Sequence, residues 1–267
     1  MVTAYDAPSA GVAAAAGVDL ILVGDSVAMV VLGYEDTLQV EVADMAHHTA
    51  AVRRGLRNSK HLPLVVADLP WLSYHTGTAD AVRNGATLIR AGAQAVKLEG
   101  GIKRRPVIEA LVDAEIPVVG HLGLTPQSVH AMGGFKVQAK AVDTARQLID
   151  DALAVEAAGC FAVVLEGVPT EVAAMVTEAV AIPTIGIGAG ARCDGQVLVY
   201  HDLLGLEERI SPRFVRRYAT LRADAVAAVE AWAADVRDHQ FPSPDESYHL
   251  GREAAEALGV IAPLAAR

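Results

Sequence analysis

The apolar positions along this chain fall into short continuous runs rather than polar/apolar alternation. VTAY opens the sequence, and DLILVGDS, LVVADLP, QAVKLEGG, VVGHLGL, CFAVVLEGVP and TIGIGAG follow in order. QVLVYHDLL, near 196–204, completes eight strand candidates. Unbroken apolar runs are the mark of strands covered on both faces, as in a parallel sheet. Helix-length segments separate most of them, for example Val40–Gly55, Ala79–Gly92 and Ala141–Gly159. Gly17, Gly92 and Gly159, or the pairs Ile116-Pro117 and Ile182-Pro183, stand between a helical pattern and the next strand. Glycine suits the left-handed position after a helix, and proline prevents the helix from continuing. Alternating strands and helices in this number predict an α/β fold, a (β/α)8 TIM barrel, with a doubly wound open sheet as the alternative.

Beyond the eighth strand candidate the period changes. Pro212 to about Asp238 reads as one long helix, FPSPDESYH as a loop, and Leu250–Arg267 as an amphipathic helix rich in Ala and Leu. The expected organisation is a single barrel domain with a C-terminal helix over 1–249 and a helical extension over 250–267.

The polar residues that interrupt the pattern do so at one place in each unit. Strand candidates end on Asp25 and Ser26 (VGDS), Asp68 (VADLP), Lys97 and Glu99 (VKLEGG), His121 (VGHLG) and Glu166 (VVLEG). Lys97 and Glu99 are two apart, so a strand aims both toward one face. Taken singly, each has a plain structural explanation: a helix cap, a hydrogen-bonded histidine, an ion pair closing a barrel layer. In a barrel, however, the C-terminal strand ends gather around one mouth, where active sites lie. Five such ends together predict a site.

Composition narrows what that site can serve. Of 267 residues, 52% are hydrophobic, and the mean hydropathy of +0.32 is too high for a disordered chain. No run approaches the roughly 18 uncharged residues of a membrane span, and MVTAYDAPSA lacks the basic and apolar regions of a secretory signal. The net charge of −10, with basic residues only in pieces such as Lys103-Arg104-Arg105, lacks the basic footprint of a nucleic-acid binder. Cys160 and Cys193 are the only cysteines and have no CxxC spacing. Free thiols in a reducing compartment, the cytoplasm, are expected.

Asp25, Asp68 and Glu99 offer hard oxygen donors, which select Mg2+ over zinc. A 2-oxo acid is a natural guest, since its carboxylate and keto oxygens can chelate such an ion while Lys97 neutralises the carboxylate. Glu166, on the opposite strand and apart from this set, is available as a base.

The strings VTAYD, LILVGDS, VVADLP, VKLEGG, GHLGLTPQSV, GGFKVQ, AVVLEGVP, IPTIGIGAG and CDGQVLV, in this order, resemble the ketopantoate hydroxymethyltransferase (3-methyl-2-oxobutanoate hydroxymethyltransferase) family over about residues 2–248. The resemblance implies a barrel of the phosphoenolpyruvate/pyruvate type and a decamer of two pentamers. It implies hydroxymethyl transfer from 5,10-methylenetetrahydrofolate to 3-methyl-2-oxobutanoate, giving 2-dehydropantoate in the first step of pantothenate biosynthesis, with one Mg2+ per subunit. Metal ligands then fall on Asp25, Asp68 and Glu99, and substrate contacts on Asp25, Ser26, Asp68 and Lys97. His121 is placed near the substrate, and Glu166 is the proton acceptor. The sequence departs from the family's pattern in KVQAKA and TLQV, and the segment that usually precedes the first strand is either missing or not included in it.

Two other enzyme readings remain open. Lys97 alone could form a Schiff base with a ketone, and a Mg2+-dependent lyase or mutase of the same superfamily could act on another oxo acid. The non-enzyme reading, a barrel kept as a sensor or scaffold, predicts lost strand-end carboxylates, and here all are present. GIGAG (186–190) lacks the GxGxxG spacing of a dinucleotide loop and reads as a tight turn that leaves room for a ligand. Gly100-Gly101 reads the same way after β-strand AVKLE. His47-His48 are adjacent on a helix rather than at i, i+4, which makes them poor ligands, while Tyr5 and Asp6 could border the mouth.

Overall fold

The computed structural model describes residues 1–209 and 212–260. It divides into two compact units, 1–219 and 220–267. Eight parallel strands make one sheet in sequence order: β1 (Val2–Thr3), β2 (Leu20–Val23), β3 (Leu64–Asp68), β4 (Ala95–Glu99), β5 (Val118–Gly123), β6 (Ala162–Glu166), β7 (Thr184–Ile187) and β8 (Gly195–Gln196). A parallel bridge between Val2 and Leu198 closes the ring, helped by the Thr3 amide donating to the Leu198 carbonyl at 3.2 Å. The connections hold helices α1 (Ala7–Ala15), α2 (Val27–Val30), α3 (Val42–Gly55), α4 (Thr78–Ala91), α5 (Arg105–Asp113), α6 (Val129–Met132), α7 (Val142–Ala157), α8 (Thr170–Ala179) and α9 (Tyr200–Leu203). The TIM-barrel expectation holds, and the open-sheet alternative does not.

Strand side chains divide into two apolar sets because successive residues face opposite sides. Ile21, Val23, Val65, Ala67, Val96 and Leu98 join the large core shared with the helices. Leu22, Val66, Ala95, Val119, Ala162, Val164, Ile185, Ile187 and Val197 form a separate cluster inside the barrel. The polar strand ends continue this inner stripe upward: Val66 is followed by Asp68, Ala95 by Lys97 and Glu99, Val119 by His121, Val164 by Glu166. The barrel is thus plugged with aliphatic side chains below and lined with charge above, as its sequence order dictates.

Helix ends follow local chemistry. Asp6 caps α1, its Oδ1 accepting the Ser9 amide at 2.8 Å, so it serves the helix rather than the mouth. Gly92 closes α4 in the left-handed region at φ 116°.

Three boundaries differ from expectation. Only Gly195–Gln196 ladders with β7, not a run to 204. The Tyr200 amide donates instead to Thr3 Oγ1 at 2.9 Å, and the chain turns into α9. The long helix, α10, spans Leu221–Arg237 and does not begin at Pro212. The preceding segment is tied down elsewhere, its Tyr218 amide donating to the Leu203 carbonyl at 2.8 Å. The last helix, α11, covers Arg252–Ala257, and 261–267 of the expected extension lie outside the described residues. No helix among the described residues is long and apolar enough to cross a membrane.

Candidate active site

The five polar strand ends meet in a cavity of about 1020 Å³ at the C-terminal mouth of the barrel. Asp25, Ser26, Asp68, Lys97, Glu99, His121 and Glu166 all line it. Asp25, Asp68, Lys97, Glu99 and His121 are each no more than 4% exposed, and Glu166 is half-open, its side chain 17% exposed.

Strand register sets the pairings. Asp68 sits opposite Lys97 in the β3–β4 ladder, and Lys97 Nζ lies 2.8 Å from Asp68 Oδ1. The other Asp68 oxygen accepts the Asp25 amide at 3.0 Å, which holds the first turn after β2 against β3. Glu99 sits opposite His121 in the β4–β5 ladder. His121 Nδ1 is 3.4 Å from Glu99 Oε1, and its Nε2 is 3.2 Å from Glu166 Oε2. The base candidate therefore does not stand apart from the other charges: His121 links it to Glu99. Ser26 Oγ and the Tyr5 hydroxyl share a 2.8 Å hydrogen bond, so Tyr5 supports the mouth from behind.

Crowding of charge determines the protonation states. Burial, then the charges of Asp68 and Glu99, push the Asp25 carboxyl well above the usual carboxylate range, against the pull of Lys97 and Gln127. Burial alone would lower the Lys97 ammonium, yet Asp68, Asp25 and Glu99 together hold it above its ordinary value. Burial and Lys97 likewise lower His121, and the carboxylates of Glu166 and Glu99 beside it outweigh them, raising it to about 9. As an imidazolium, His121 lies between the two glutamates, within ion-pair distance of both. Its Nδ1 is also 3.2 Å from Lys97 Nζ, so two basic groups stand side by side among the acidic strand ends.

That surplus of buried negative charge suits a divalent cation. The donors are hard oxygens, and Glu99 Oε1 is buried with no aligned hydrogen bond. Among the described residues no three His, Cys, Asp or Glu side chains are already drawn together as a cage. Mg2+ does not require one, since it typically takes one or two carboxylates and fills its octahedron with water and substrate. The residues present fit such an ion.

Residues without charge at the strand ends complete the site. Gln127, three residues beyond the GHLGL run, donates from Nε2 to Asp25 Oδ2 at 2.8 Å and from its backbone to Glu99 Oε2 at 3.0 Å. Tyr74, after β3, donates to Gln127 Oε1 at 2.7 Å. Asp202, on α9, also lines the cavity, and burial with the Glu207 charge raises its carboxyl to about 6.

The two glycine readings separate. Gly188 and Gly190 of GIGAG line the cavity, at φ 62° and 80°. Gly100 and Gly101 do not; they border a smaller cavity of about 240 Å³. Gly100 has a left-handed φ of 112°, and any Cβ on Gly101 would collide with Asp151 of α7. These glycines let the helix layer approach rather than leave space for a ligand. His48 Nδ1 meets the Tyr5 carbonyl at 2.6 Å, a structural role in keeping with the pair's poor ligand spacing.

Fold and mouth together define a (β/α)8-barrel protein with its acid–base groups concentrated at the C-terminal strand ends. The chain belongs to the ketopantoate hydroxymethyltransferase family, whose model matches residues 1–244. It is 53% identical over 260 residues to the 3-methyl-2-oxobutanoate hydroxymethyltransferase of Koribacter versatilis, covering 97% of this chain and 87% of that one. The protein of the same name from Oleidesulfovibrio alaskensis is 55% identical over 251 residues, covering 94% and 86%. A solved structure of 2,3-dimethylmalate lyase, a PEP mutase/isocitrate lyase superfamily member, superposes with a TM-score of 0.56 at 18% identity, covering 97% of this chain and 92% of that one. That likeness is one of fold alone, a barrel of the same architecture.

Proposed function

We propose that the protein transfers a hydroxymethyl group from 5,10-methylenetetrahydrofolate to 3-methyl-2-oxobutanoate, giving 2-dehydropantoate in the first step of pantothenate biosynthesis. The observation that carries this reading is the buried Asp25, Asp68, Lys97, Glu99 and His121 cluster opening onto Glu166 at the barrel mouth, in a chain more than half identical to relatives bearing that enzyme name.

Asp25 and Asp68, with Glu99 directly or through a water, would hold Mg2+. The bound ion supplies Lewis-acid stabilisation of negative charge developing on the oxo acid. Lys97 remains charged among its carboxylates and meets the substrate carboxylate, with Ser26 as a further hydrogen-bonding partner. His121 fixes Glu166 Oε2, leaving the other oxygen to take the proton from C3, the carbon beside the keto group. One C–N bond of the donor's methylene bridge opens, its nitrogen taking a proton, and the electron pair at C3 forms the new C–C bond to the resulting iminium carbon. Water displaces tetrahydrofolate and supplies the hydroxyl oxygen. The cavity, about 1020 Å³, exceeds what a five-carbon acid fills and leaves space for the donor beside Phe135 and Phe214.

A Schiff-base reaction at Lys97 is disfavoured by the same cluster, because a nucleophilic amine must be unprotonated and three carboxylates oppose that. The test is an assay of the oxo acid with methylenetetrahydrofolate, before EDTA, after EDTA, and after restoring Mg2+. Product that vanishes with EDTA and returns with Mg2+ supports the proposal, and absence of product in saturating Mg2+ overturns it. A borohydride-trapped adduct with the oxo acid would favour the Schiff base instead.

A further inference from the structure

The loop after β5 carries one buried side chain whose polar atoms are all engaged. Gln127 is 5% exposed. Its backbone N–H donates to Glu99 Oε2 at 3.0 Å, and Nε2 donates to Asp25 Oδ2 at 2.8 Å and the Leu69 carbonyl at 2.9 Å. Its Oε1 accepts from the Tyr74 hydroxyl at 2.7 Å. Chemistry fixes the amide's orientation: the Leu69 carbonyl only accepts, so the NH2 must face it. The Glu99 amide donates to the Tyr74 oxygen at 3.1 Å, leaving that hydroxyl's single proton for Gln127. The circuit joins the ends of β2, β3 and β4 to the loop after β5.

We propose that Gln127 is a positioning residue that sets the Asp25 and Glu99 carboxylates for a divalent cation, an inference that rests on the Mg2+ reading above. A neutral donor suits this task. It fixes one oxygen of each carboxylate without cancelling the charge that attracts the ion, as Lys or Arg would. A glutamate in its place would set one more acceptor against Asp25 Oδ2 and the Leu69 carbonyl. Methionine, of similar volume, would take the Gln127 side-chain donor from Asp25 Oδ2 and the Leu69 carbonyl and the acceptor from the Tyr74 proton. Meanwhile Glu99 Oε1, the oxygen Gln127 does not hold, has no aligned hydrogen bond.

Calorimetric titration of the metal-free full chain with MgCl2, without either substrate, tests this. Wild type should bind, and Gln127→Met should bind about 10- to 100-fold more weakly, the usual effect of losing an outer partner of metal ligands. Tyr74→Phe removes the proton on Oε1 together with the acceptor of the Glu99 amide, leaves the Gln127 bonds to both carboxylates in place, and should give a smaller loss of the same sign. Ile108→Val, a core change in α5, controls for general destabilisation and should keep wild-type affinity. If Gln127→Met fails to fold, Tyr74→Phe decides. Unchanged affinity in the deciding variant overturns the proposal, as does an equal loss in Ile108→Val. Wild-type protein that binds no Mg2+ removes the metal reading and this proposal with it, whereas binding by wild type with no effect at Gln127 removes the proposal alone.

Discussion

His121 and Glu166 face each other across neighbouring strands, Nε2 to Oε2 at 3.2 Å. The contact leaves one glutamate oxygen toward a cavity that Glu166 itself lines. A positioned general base contributes typically about 10²–10⁴ in rate. Glu166→Gln keeps size and hydrogen-bonding ability but cannot take the proton. Exchange of the oxo acid's C3 hydrogen into deuterated water, followed by NMR, should slow by about that factor, while Mg2+ binding survives. Exchange at the wild-type rate would assign the proton to another group.

His121 also predicts a pH dependence of stability in the metal-free protein. Its folded value is raised to about 9, against about 6.5 for a free imidazole. For a raised base the sign is fixed: the imidazolium's contribution is complete below the unfolded value and disappears as pH climbs through the folded one. The difference in Tm between wild type and His121→Asn, measured in EDTA, should therefore be larger at pH 6 than at pH 9.5. The comparison cancels the other titrating groups to first order, so an equal gap at both pH values would contradict the pairing.

These charged partners were legible in the sequence because each one ends a β-branched run, and β-strand periodicity places it. Asp68, Lys97, Glu99, His121 and Glu166 extend inner-face stripes already set by Val66, Ala95, Val119 and Val164. Gln127 and Tyr74 gave no comparable signal: both are uncharged, both sit in loops, and their roles arise only when two loops fold over the mouth. Asp202 was hidden differently. Its segment reads as strand from composition, and only the Tyr200–Thr3 hydrogen bond turns it into α9. The glycines after Glu99 read as a turn that leaves room for a ligand, whereas Gly101 admits Asp151, a tertiary contact that no local pattern contains.

Lys97 and Asp68 form a buried pair at 2.8 Å whose partners are not equivalent to solvent-exposed ions. Removing one member of such a pair costs about 3–5 kcal/mol, because the other charge is left buried. Lys97→Met should therefore lower stability by that order in urea denaturation with EDTA present and abolish binding of the oxo acid. Adding Asp68→Asn removes the stranded charge and should recover much of the stability without restoring binding. Additive losses in the double variant would mean that the two residues are energetically independent.

Gly123 tests whether the backbone beneath the base matters as much as the base. It pairs with Glu166 in the β5–β6 register and has φ 89°. A Cβ there would collide with the Glu166 carbonyl oxygen and come 2.6 Å from Val168 Cγ1. That carbonyl cannot simply move away, since it accepts the Leu124 amide at 2.8 Å. Gly123→Ala should thus cost about 1–3 kcal/mol in backbone strain and also displace Glu166, for which an error near 1 Å can lower turnover about 100-fold. Gly17→Ala separates the two effects. Gly17 also has a left-handed φ, 74°, but a Cβ there meets nothing within 4 Å, and it lies after α1, below the barrel mouth. Its alanine variant should lose stability and keep kcat. If Gly123→Ala loses stability but retains wild-type kcat, the β5–β6 crossover does not control the position of the base.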